Sequence, residues 1–214
     1  MHALITGANR GIGAALKTAL ALDYTVIGTT RGTPDGDDWR QLDQSDPASI
    51  AALAPTLPDT LDLLVCNAGI YPDKSESLAD GYPPEMWEET FATNVTGIFG
   101  LIQTLLPQLT AAQGKIAILS SQMASDTQAP GGSYIYRASK AAVLNLGRNL
   151  ATDLKPKGVS VGIYHPGWVR TDMGGDHAAI SPEQSATGLA QRFADLSPDT
   201  TGIFETWDGT AHPY

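Results

Sequence analysis

Apolar positions along the chain form short uninterrupted runs that alternate with longer amphipathic stretches. Short apolar runs are typical of strands buried in a parallel sheet, and stretches with a 3.6-residue period are typical of the helices that cover it. The alternation predicts a single α/β domain over residues 1–214, with a doubly wound parallel sheet of about seven strands. The strands are expected at 2–6, 24–29, 39–42, 61–66, 115–120, 159–164 and 202–206, and helices at 11–22, from 46, 84–112, 134–154 and 181–194.

The connection after the second predicted strand is unusually short. About nine residues separate Thr29 from Trp39, and they include the turn-forming run 31–38. A crossover between parallel strands usually needs a dozen or more residues. The third strand is therefore expected to be a stub, or to be joined to the second by a bare loop.

Composition and charge exclude several classes of protein. The 214 residues carry 13 Lys and Arg against 23 Asp and Glu, a net charge of −10, which argues against general binding to nucleic acid. The lone Cys66 cannot form an internal disulfide and favours a reducing compartment. No apolar run is expected to approach the ~18 residues of a membrane span, and no signal peptide is expected. We expect a cytoplasmic protein.

A glycine-rich turn follows the first predicted strand and precedes the first predicted helix. In that context backbone N–H groups at the helix N-terminus can hold a diphosphate. Gly7 would allow the tight turn, Gly11 the close approach of a phosphate, and Gly13 close packing of helix on strand. The predicted diphosphate site comprises Gly7, Asn9, Arg10, Gly11, Ile12 and Gly13.

Two arginines indicate which dinucleotide would bind. Arg10 lies in the glycine-rich turn, and Arg31 follows the second strand, where no acidic residue stands. An acid at that place selects the free 2′-hydroxyl of NAD, whereas an arginine accommodates the 2′-phosphate of NADP. The alternative is that both are ordinary surface charges. Their coincidence with the expected phosphate position favours NADP.

Tyr136 and Lys140 are four residues apart on a predicted helix and therefore share one face. A neighbouring ammonium favours the phenolate, so such a tyrosine can exchange a proton with a carbonyl or alcohol. A hydroxyl of Ser120 or Ser121, after the fifth strand, could bind a substrate carbonyl. Each of these features is weak alone, since a Tyr–Lys pair is common on helix surfaces.

Together these residues resemble the short-chain dehydrogenase/reductase family in its single-domain form, over essentially the whole chain. Segments 131–140 and 202–209 look most like its C-factor and sniffer-type carbonyl reductase branch. The resemblance implies a Rossmann-type fold. Its motifs are matched by Thr6–Gly13, Cys66–Gly69, Asn94–Gly97, Ser120-Ser121, Tyr136 with Lys140, and His165–Thr171.

The resemblance also implies roles for individual residues. Tyr136 would be the general acid/base, Lys140 would lower its pKa and bind the nicotinamide ribose, and Ser121, preferred to Ser120, would position the carbonyl. Asn94 would hold a water that links Lys140 to solvent. Asp43 would bind the adenine amino group. The remaining cofactor contacts implied are Asn67, Ala68, Gly69, Pro166, Gly167, Val169 and Thr171.

Two further departures from the family pattern concern the substrate side. Ser121 lies 15 residues before Tyr136, whereas the commonest spacing of 13 would select Met123, so we infer a two-residue insertion in the loop 122–132. Only nine residues separate Thr171 from Ser181. We therefore expect a reduced substrate lid and a more open site.

The function expected is an NADP(H)-dependent oxidoreductase that transfers hydride between the nicotinamide and a small-molecule carbonyl or secondary alcohol. The alternative is a catalytically idle NADP-binding regulatory or signalling protein. The family's usual assembly suggests a homodimer or homotetramer, without nucleic-acid or membrane partners. The four histidines, His2, His165, His177 and His212, have no metal-ligand spacing, so no metal site is expected.

Overall fold

The computed structural model describes all 214 residues and contains one seven-stranded parallel sheet. The strand order is β3-β2-β1-β4-β5-β6-β7, the Rossmann-type topology expected. The strands are β1 His2–Ile5, β2 Thr25–Thr30, β3 Trp39–Gln41, β4 Leu63–Cys66, β5 Lys115–Leu119, β6 Ser160–His165 and β7 Phe204–Thr206. The helices are α1 Gly11–Leu20, α2 Pro47–Leu53, α3 Pro84–Phe91, α4 Gly97–Ala112, α5 Tyr134–Leu154 and α6 Pro182–Asp195.

Two hydrophobic cores lie on the two faces of the sheet, because successive strand residues point to opposite sides. In β1, Leu4 faces the core formed with α2, α4 and α5, whereas Ala3 and Ile5 face the core formed with α1 and α6. Strands buried on both faces explain why the sequence showed continuous apolar runs instead of alternation.

The short crossover between β2 and β3 is present as expected. It combines the stub of a third strand with a bare connecting loop. β3 has three residues and pairs in parallel with β2, and residues 31–38 form a loop without a helix. Trp39 lies so close beneath β2 that a Cβ atom on Gly28 would be 2.9 Å from its ring. The small glycine therefore lets this short strand pack against the sheet.

The helix predicted over 84–112 is interrupted, which corrects the sequence-based expectation of one regular helix. Ala92–Thr96 form a π-helical turn between α3 and α4, and Asn94 lies within it, fully buried. At the end of this turn a Cβ atom on Gly97 would lie 2.1 Å from the main-chain oxygen of Gln44. A π turn inserts one extra residue, which turns Asn94 inward.

The stretch Pro84–Ala112 is long and apolar enough, by length and composition alone, to cross a membrane. The expectation that no apolar run approaches that length was therefore wrong, since no charged residue lies between Glu89 and Lys115. Core helices of proteins without a membrane span meet the same criterion. Here Ile98, Leu101 and Leu105 are buried in the core against the sheet, which accounts for the apolar composition.

Candidate active site

The glycine-rich turn between β1 and α1 has the backbone conformation that its glycines permit. Gly7 and Gly11 have φ angles of 63° and 54°. A Cβ atom on Gly13 would lie 2.2 Å from the carbonyl oxygen of Gly7, so α1 can start this close to the strand only with glycine there. Asn67, after β4, donates from its amide to the carbonyl oxygens of Thr6 (2.8 Å) and Gly7 (3.1 Å) and fixes the turn.

The turn opens into a cleft of about 810 Å³ at the carboxyl ends of β1 and β4, where the strand order reverses. Ligands of open α/β sheets bind at this switch point. The cleft brings together most of the predicted site residues: Gly7, Asn9, Arg10, Gly11, Ile12, Gly13, Arg31, Asp43, Asn67, Ala68, Gly69, Tyr136, Lys140, Pro166 and Thr171. Asn94, Ser121, Gly167 and Val169 are not among the residues that line the cleft, whereas Ser120 is.

Both arginines of the predicted 2′-phosphate site line this cleft. Arg10 is exposed and forms an ion pair with Asp172, at 2.5 Å between Nη1 and Oδ2. Arg31 lies near Asp43, whose pKa is lowered mainly by hydrogen bonds from Ser45 and further by the charge of Arg31. The cationic end of the cleft is thus present, and one of its two arginines is paired with the carboxylate of Asp172.

Tyr136 and Lys140 lie one turn apart on α5 at the other end of the cleft, and both are buried. The ammonium of Lys140 donates to the carbonyl oxygen of Leu119 at 2.8 Å and lies 5.6 Å from the centre of the Tyr136 ring. Burial lowers the pKa of Lys140 to about 8. Burial raises the pKa of Tyr136 above its ordinary value, and a hydrogen bond with Ser121 opposes that rise.

The two candidate serines have different partners. Ser120 donates its hydroxyl to the main-chain oxygen of Lys140 at 2.9 Å, and that bond is buried. Ser121 lies against the phenol of Tyr136, and its Oγ also accepts from the backbone N–H of Met123 at 3.1 Å. Ser121 is therefore the serine beside the phenol, and Met123 lies in the following turn of helix, Gln122–Ala124.

Asn94 uses its whole amide group inside the protein. Its oxygen accepts from the N–H of Ile70 at 2.9 Å, and its nitrogen donates to the Ile70 carbonyl (2.9 Å) and to Ser139 (3.1 Å). A Cβ atom on Gly69 would touch both Asn94 Oδ1 (3.2 Å) and Lys140 Nζ (3.6 Å), so the three residues are neighbours. The side chain of Asn94 thereby ties the segment after β4 to α5.

The segment after β6 also lines the cleft. Gly167 has a φ of 89°, and Val169 is buried and forms an isolated parallel bridge with Ile180. Thr171 Oγ1 accepts from the N–H of Gly174 at 3.1 Å. Residues 172–180 form a short loop without a helix, as expected for a reduced lid, and Trp168 beside it is 53% exposed.

Several residues at the site were not found from sequence. Tyr71 stacks on the Tyr136 ring, and Asp73 is a buried acid beside it. Asp172 and Met173 line the cleft from the loop after Thr171. The sequence contains one signal for Asp73, because it is a charged residue shortly after the Asn67–Gly69 motif. Its contact with α5 has no local signal, since it joins residues 62 positions apart.

Cys66 and His165, which the sequence left outside the site, are buried residues at strand ends. Burial raises the pKa of the Cys66 thiol to about 12 and lowers the pKa of His165 to about 4. Both side chains are therefore neutral near pH 7. No group of three or more His, Cys, Asp and Glu side chains is arranged to hold a metal ion.

The sheet order, the glycine turn at the switch point and the Tyr136–Lys140 pair define a dinucleotide-binding oxidoreductase fold. The model of the short chain dehydrogenase family matches residues 1–180, and the chain belongs to that family. Among curated relatives, the C-signal of Myxococcus xanthus is 35% identical over 156 residues, covering 72% of this chain and 93% of that protein.

Two solved structures extend the similarity to the whole fold. The carbonyl reductase Sniffer of D. melanogaster aligns with a TM-score of 0.92 at 28% identity, covering 100% of this chain and 99% of its own. The NADPH-bound carbonyl reductase from chicken fatty liver aligns with a TM-score of 0.89 at 28% identity, covering 100% and 98%. The chain is thus an oxidoreductase of the sniffer and C-factor type within the family.

Proposed function

We propose that this protein is an NADP(H)-dependent reductase of small-molecule carbonyl compounds, and that it also runs the reverse oxidation of a secondary alcohol. The observation that carries the proposal is the Ser121–Tyr136–Lys140 cluster at the inner end of the dinucleotide cleft. The similarity to the NADPH-bound chicken carbonyl reductase supports both the cofactor and the class of substrate.

The cleft fits a dinucleotide phosphate. The N-terminus of α1 has no side-chain cap, which leaves backbone N–H groups free for a diphosphate, and Gly11 places no side chain in the cleft beside Thr171. Arg10 and Arg31 supply the positive charge for a 2′-phosphate in a chain of net charge −10. When bound, the cofactor supplies the hydride. Asp43, Asn67, Ala68 and Gly69 would line its adenosine half, and Pro166, Gly167, Val169 and Thr171 its nicotinamide half.

The protein's own groups manage the proton. During reduction Tyr136 donates its phenolic proton to the carbonyl oxygen, and Ser121 hydrogen-bonds that oxygen as negative charge develops on it. The Lys140 ammonium would stabilise the resulting phenolate, and it would hold the nicotinamide ribose of a bound cofactor. Asn94, which bonds to Ile70 and lies beside Gly69, would maintain the geometry around Lys140.

The direct test removes the Tyr136 hydroxyl. Tyr136→Phe should lower kcat for carbonyl reduction by at least about 1,000-fold, because no other group can donate the proton at that position. The dissociation constant for NADPH, measured by fluorescence titration, should stay within about twofold. Tyr134→Phe is the matched control. Tyr134 lies two residues earlier on the same helix, and its ring packs edge-on against Tyr82. Equal turnover in Tyr136→Phe and wild type would refute the mechanism.

A second candidate function is suggested by the 35% identity to the C-signal of Myxococcus xanthus. In that case the protein would bind NADP and act as a regulator without turnover. A panel of aldehydes, ketones and quinones, followed at the nicotinamide absorbance, separates the two. Tight NADPH binding with no oxidation by any compound would favour the regulator, whereas oxidation of NADPH lost in Tyr136→Phe favours the reductase.

We further propose that the protein is a cytoplasmic homodimer or homotetramer. The faces of α4 and α5 that point away from the sheet carry exposed aromatic residues, Phe99 and Tyr134. The proposal rests on the family's usual assembly, which pairs the two long helices that correspond to α4 and α5. Light scattering coupled to size-exclusion chromatography measures the mass directly, and a mass of one 22.5 kDa chain would contradict this assembly.

A further inference from the structure

The helix that carries Tyr136 begins without a cap of its own. Ser133, at the N-cap position of α5, has φ 49° and ψ 43° and makes no capping hydrogen bond with its side chain. Gly131 and Gly132 before it also have positive φ angles, and no atom lies within 4 Å of the place of a Cβ on either. Tyr136 is the third residue of this helix, in the turn where N–H groups lack intrahelical partners.

Those N–H groups are instead bound by Asp73, from the loop after β4. The Asp73 carboxylate accepts from the N–H of Ile135 at 2.8 Å and from the N–H of Tyr136 at 3.2 and 3.3 Å. Asp73 is fully buried, away from water. The two N–H donors and the positive end of α5 offset its negative charge instead. The residue thus performs from 62 positions away what an N-cap normally does locally.

The same loop also fixes the ring of Tyr136. Tyr71 stacks on it with ring centres 4.1 Å apart and planes inclined by 23°. The Tyr71 hydroxyl is hydrogen-bonded to the hydroxyl of Ser133 at 2.5 Å, which explains why that serine does not cap the helix. The backbone and the ring of Tyr136 are therefore both held by the segment Tyr71–Asp73.

We propose that Asp73 is a positioning residue of the active site: its carboxylate caps α5 and so holds the phenol of Tyr136 against Ser121. This inference rests on the proposed role of Tyr136 as proton donor. Without the cap the first turn of α5 frays, and the phenol leaves the position from which it can reach a carbonyl oxygen. A misplacement of about 1 Å can lower a catalytic rate roughly 100-fold.

The charge of Asp73 adds a second readout. The titratable groups that face the Tyr136 phenol are Tyr71 and Asp73 from the loop after β4 and Lys140 from α5, with the neutral Ser121 after β5. The carboxylate of Asp73 disfavours the phenolate. Asp73→Asn, which removes the charge and keeps an acceptor oxygen, should therefore move the basic limb of the pH–rate profile for reduction to lower pH.

Steady-state kinetics test the positioning role. Asp73→Ala should lower kcat for carbonyl reduction roughly 100-fold, and Asp73→Asn roughly tenfold, because the amide oxygen can still accept one N–H. KM for the carbonyl and the dissociation constant for NADPH should stay within about twofold. Asp153→Asn, which alters an exposed carboxylate near the other end of α5, is the control and should retain wild-type kcat. Wild-type kcat and an unchanged pH profile in Asp73→Asn would overturn the proposal.

Amide hydrogen exchange tests the cap without any need for turnover. In Asp73→Ala, which removes both acceptor oxygens, the amides of Ile135 and Tyr136 should exchange at least about tenfold faster than in wild type, while the amide of Leu144, in the middle of α5, is unchanged. Unchanged exchange at residues 135 and 136 would also overturn the proposal. A wild-type protein that reduces no carbonyl would contradict the proposed function, and the exchange rates would then decide the role of Asp73 alone.

Discussion

Tyr136 lies in an environment that keeps its proton in place until a substrate arrives. Burial is the largest influence on its phenol and raises the pKa, whereas Ser121 lowers it. A donor in carbonyl reduction must be protonated at the start of the reaction, so the buried state suits this direction. Lys140 lies beside the same ring, with 5.6 Å between its Nζ and the ring centre, where we propose that it stabilises the phenolate.

Alanine substitutions at Ser121 and at the neighbouring Ser120 test which hydroxyl takes part in catalysis. Ser121→Ala should lower kcat about 100-fold, since it removes a donor to the developing oxyanion and a partner of the Tyr136 phenol. Ser120→Ala should leave kcat within a few-fold and reduce the free energy of unfolding by about 1 kcal/mol, because its bond goes to the main-chain oxygen of Lys140. Steady-state kinetics and urea unfolding measure the two effects, and the reverse pattern would exchange the roles.

Arg31 is predicted to set the choice of cofactor. Arg31→Asp should weaken NADPH binding at least about tenfold and strengthen NADH binding, since an acid there can bind the 2′-hydroxyl and repels a 2′-phosphate. Lys155→Asp changes the net charge by the same amount at the exposed end of α5 and should change neither affinity. Fluorescence titration with both cofactors measures this. An unchanged preference would show that Arg31 is an ordinary surface charge.

Contacts between residues that are distant in sequence could not be predicted at the residue scale. Arg10 pairs with Asp172, 162 positions away, and Asp73 bonds to the N-terminus of α5. Nothing in the local sequence of either acid distinguishes it from a solvated loop residue. Only the closing of the chain into a sheet brings the loops after β4 and β6 to the same edge.

The start of α1 shows how an element of structure depends on single atoms. Its first turn approaches the glycine-rich loop so closely that there is no room for a Cβ atom at position 13. The glycine pattern of the sequence predicts close packing at Gly13, and a Cβ atom there would lie only 2.2 Å from the Gly7 oxygen. The π turn at Asn94 is the opposite case, since no local pattern distinguished it from regular helix.

Gly13→Ala and Gly100→Ala should have opposite effects on stability. Gly13→Ala forces a Cβ atom against the Gly7 oxygen and should lower the free energy of unfolding by more than about 2 kcal/mol, and weaken NADPH binding. Gly100 lies within α4, where a Cβ atom would meet only Ile50 at 3.6 Å, so Gly100→Ala should add up to about 1 kcal/mol. Urea unfolding measures both. Similar effects of the two substitutions would contradict the crowded contact at Gly13.

At the scale of the whole molecule, stability should depend on pH through Lys140. Burial lowers its pKa from 10.5 in the unfolded chain to about 8, so the unfolded state binds more protons between these values. The free energy of unfolding therefore rises as the pH increases through this range, by roughly 3 kcal/mol for this group alone. Lys140→Met removes the titration and should lose that rise.

The comparison of wild type with Lys140→Met isolates this contribution from other titrating groups. Urea unfolding at pH 7.5 and at pH 10 gives the difference between the two proteins at each value. The free energy of unfolding of wild type minus that of Lys140→Met should be larger at pH 10 than at pH 7.5. A difference independent of pH would show that the ammonium is solvated in the folded state.

The sequence by itself determined the number of strands, the parallel α/β class, the short crossover and the reduced lid. These depend on local apolar periodicity and on the lengths of connections, which no tertiary contact alters. It also placed the glycine turn and the Tyr136–Lys140 pair, because their spacing alone puts them on one helix face or in one turn.

The tertiary structure alone decided which groups complete the site. It interrupted the helix at Asn94, paired Arg10 with Asp172 and capped α5 with Asp73. The physical reason is common to all three. Hydrogen bonds and close packing act over a few ångströms in space, and the sheet brings together residues that are tens of positions apart in the chain.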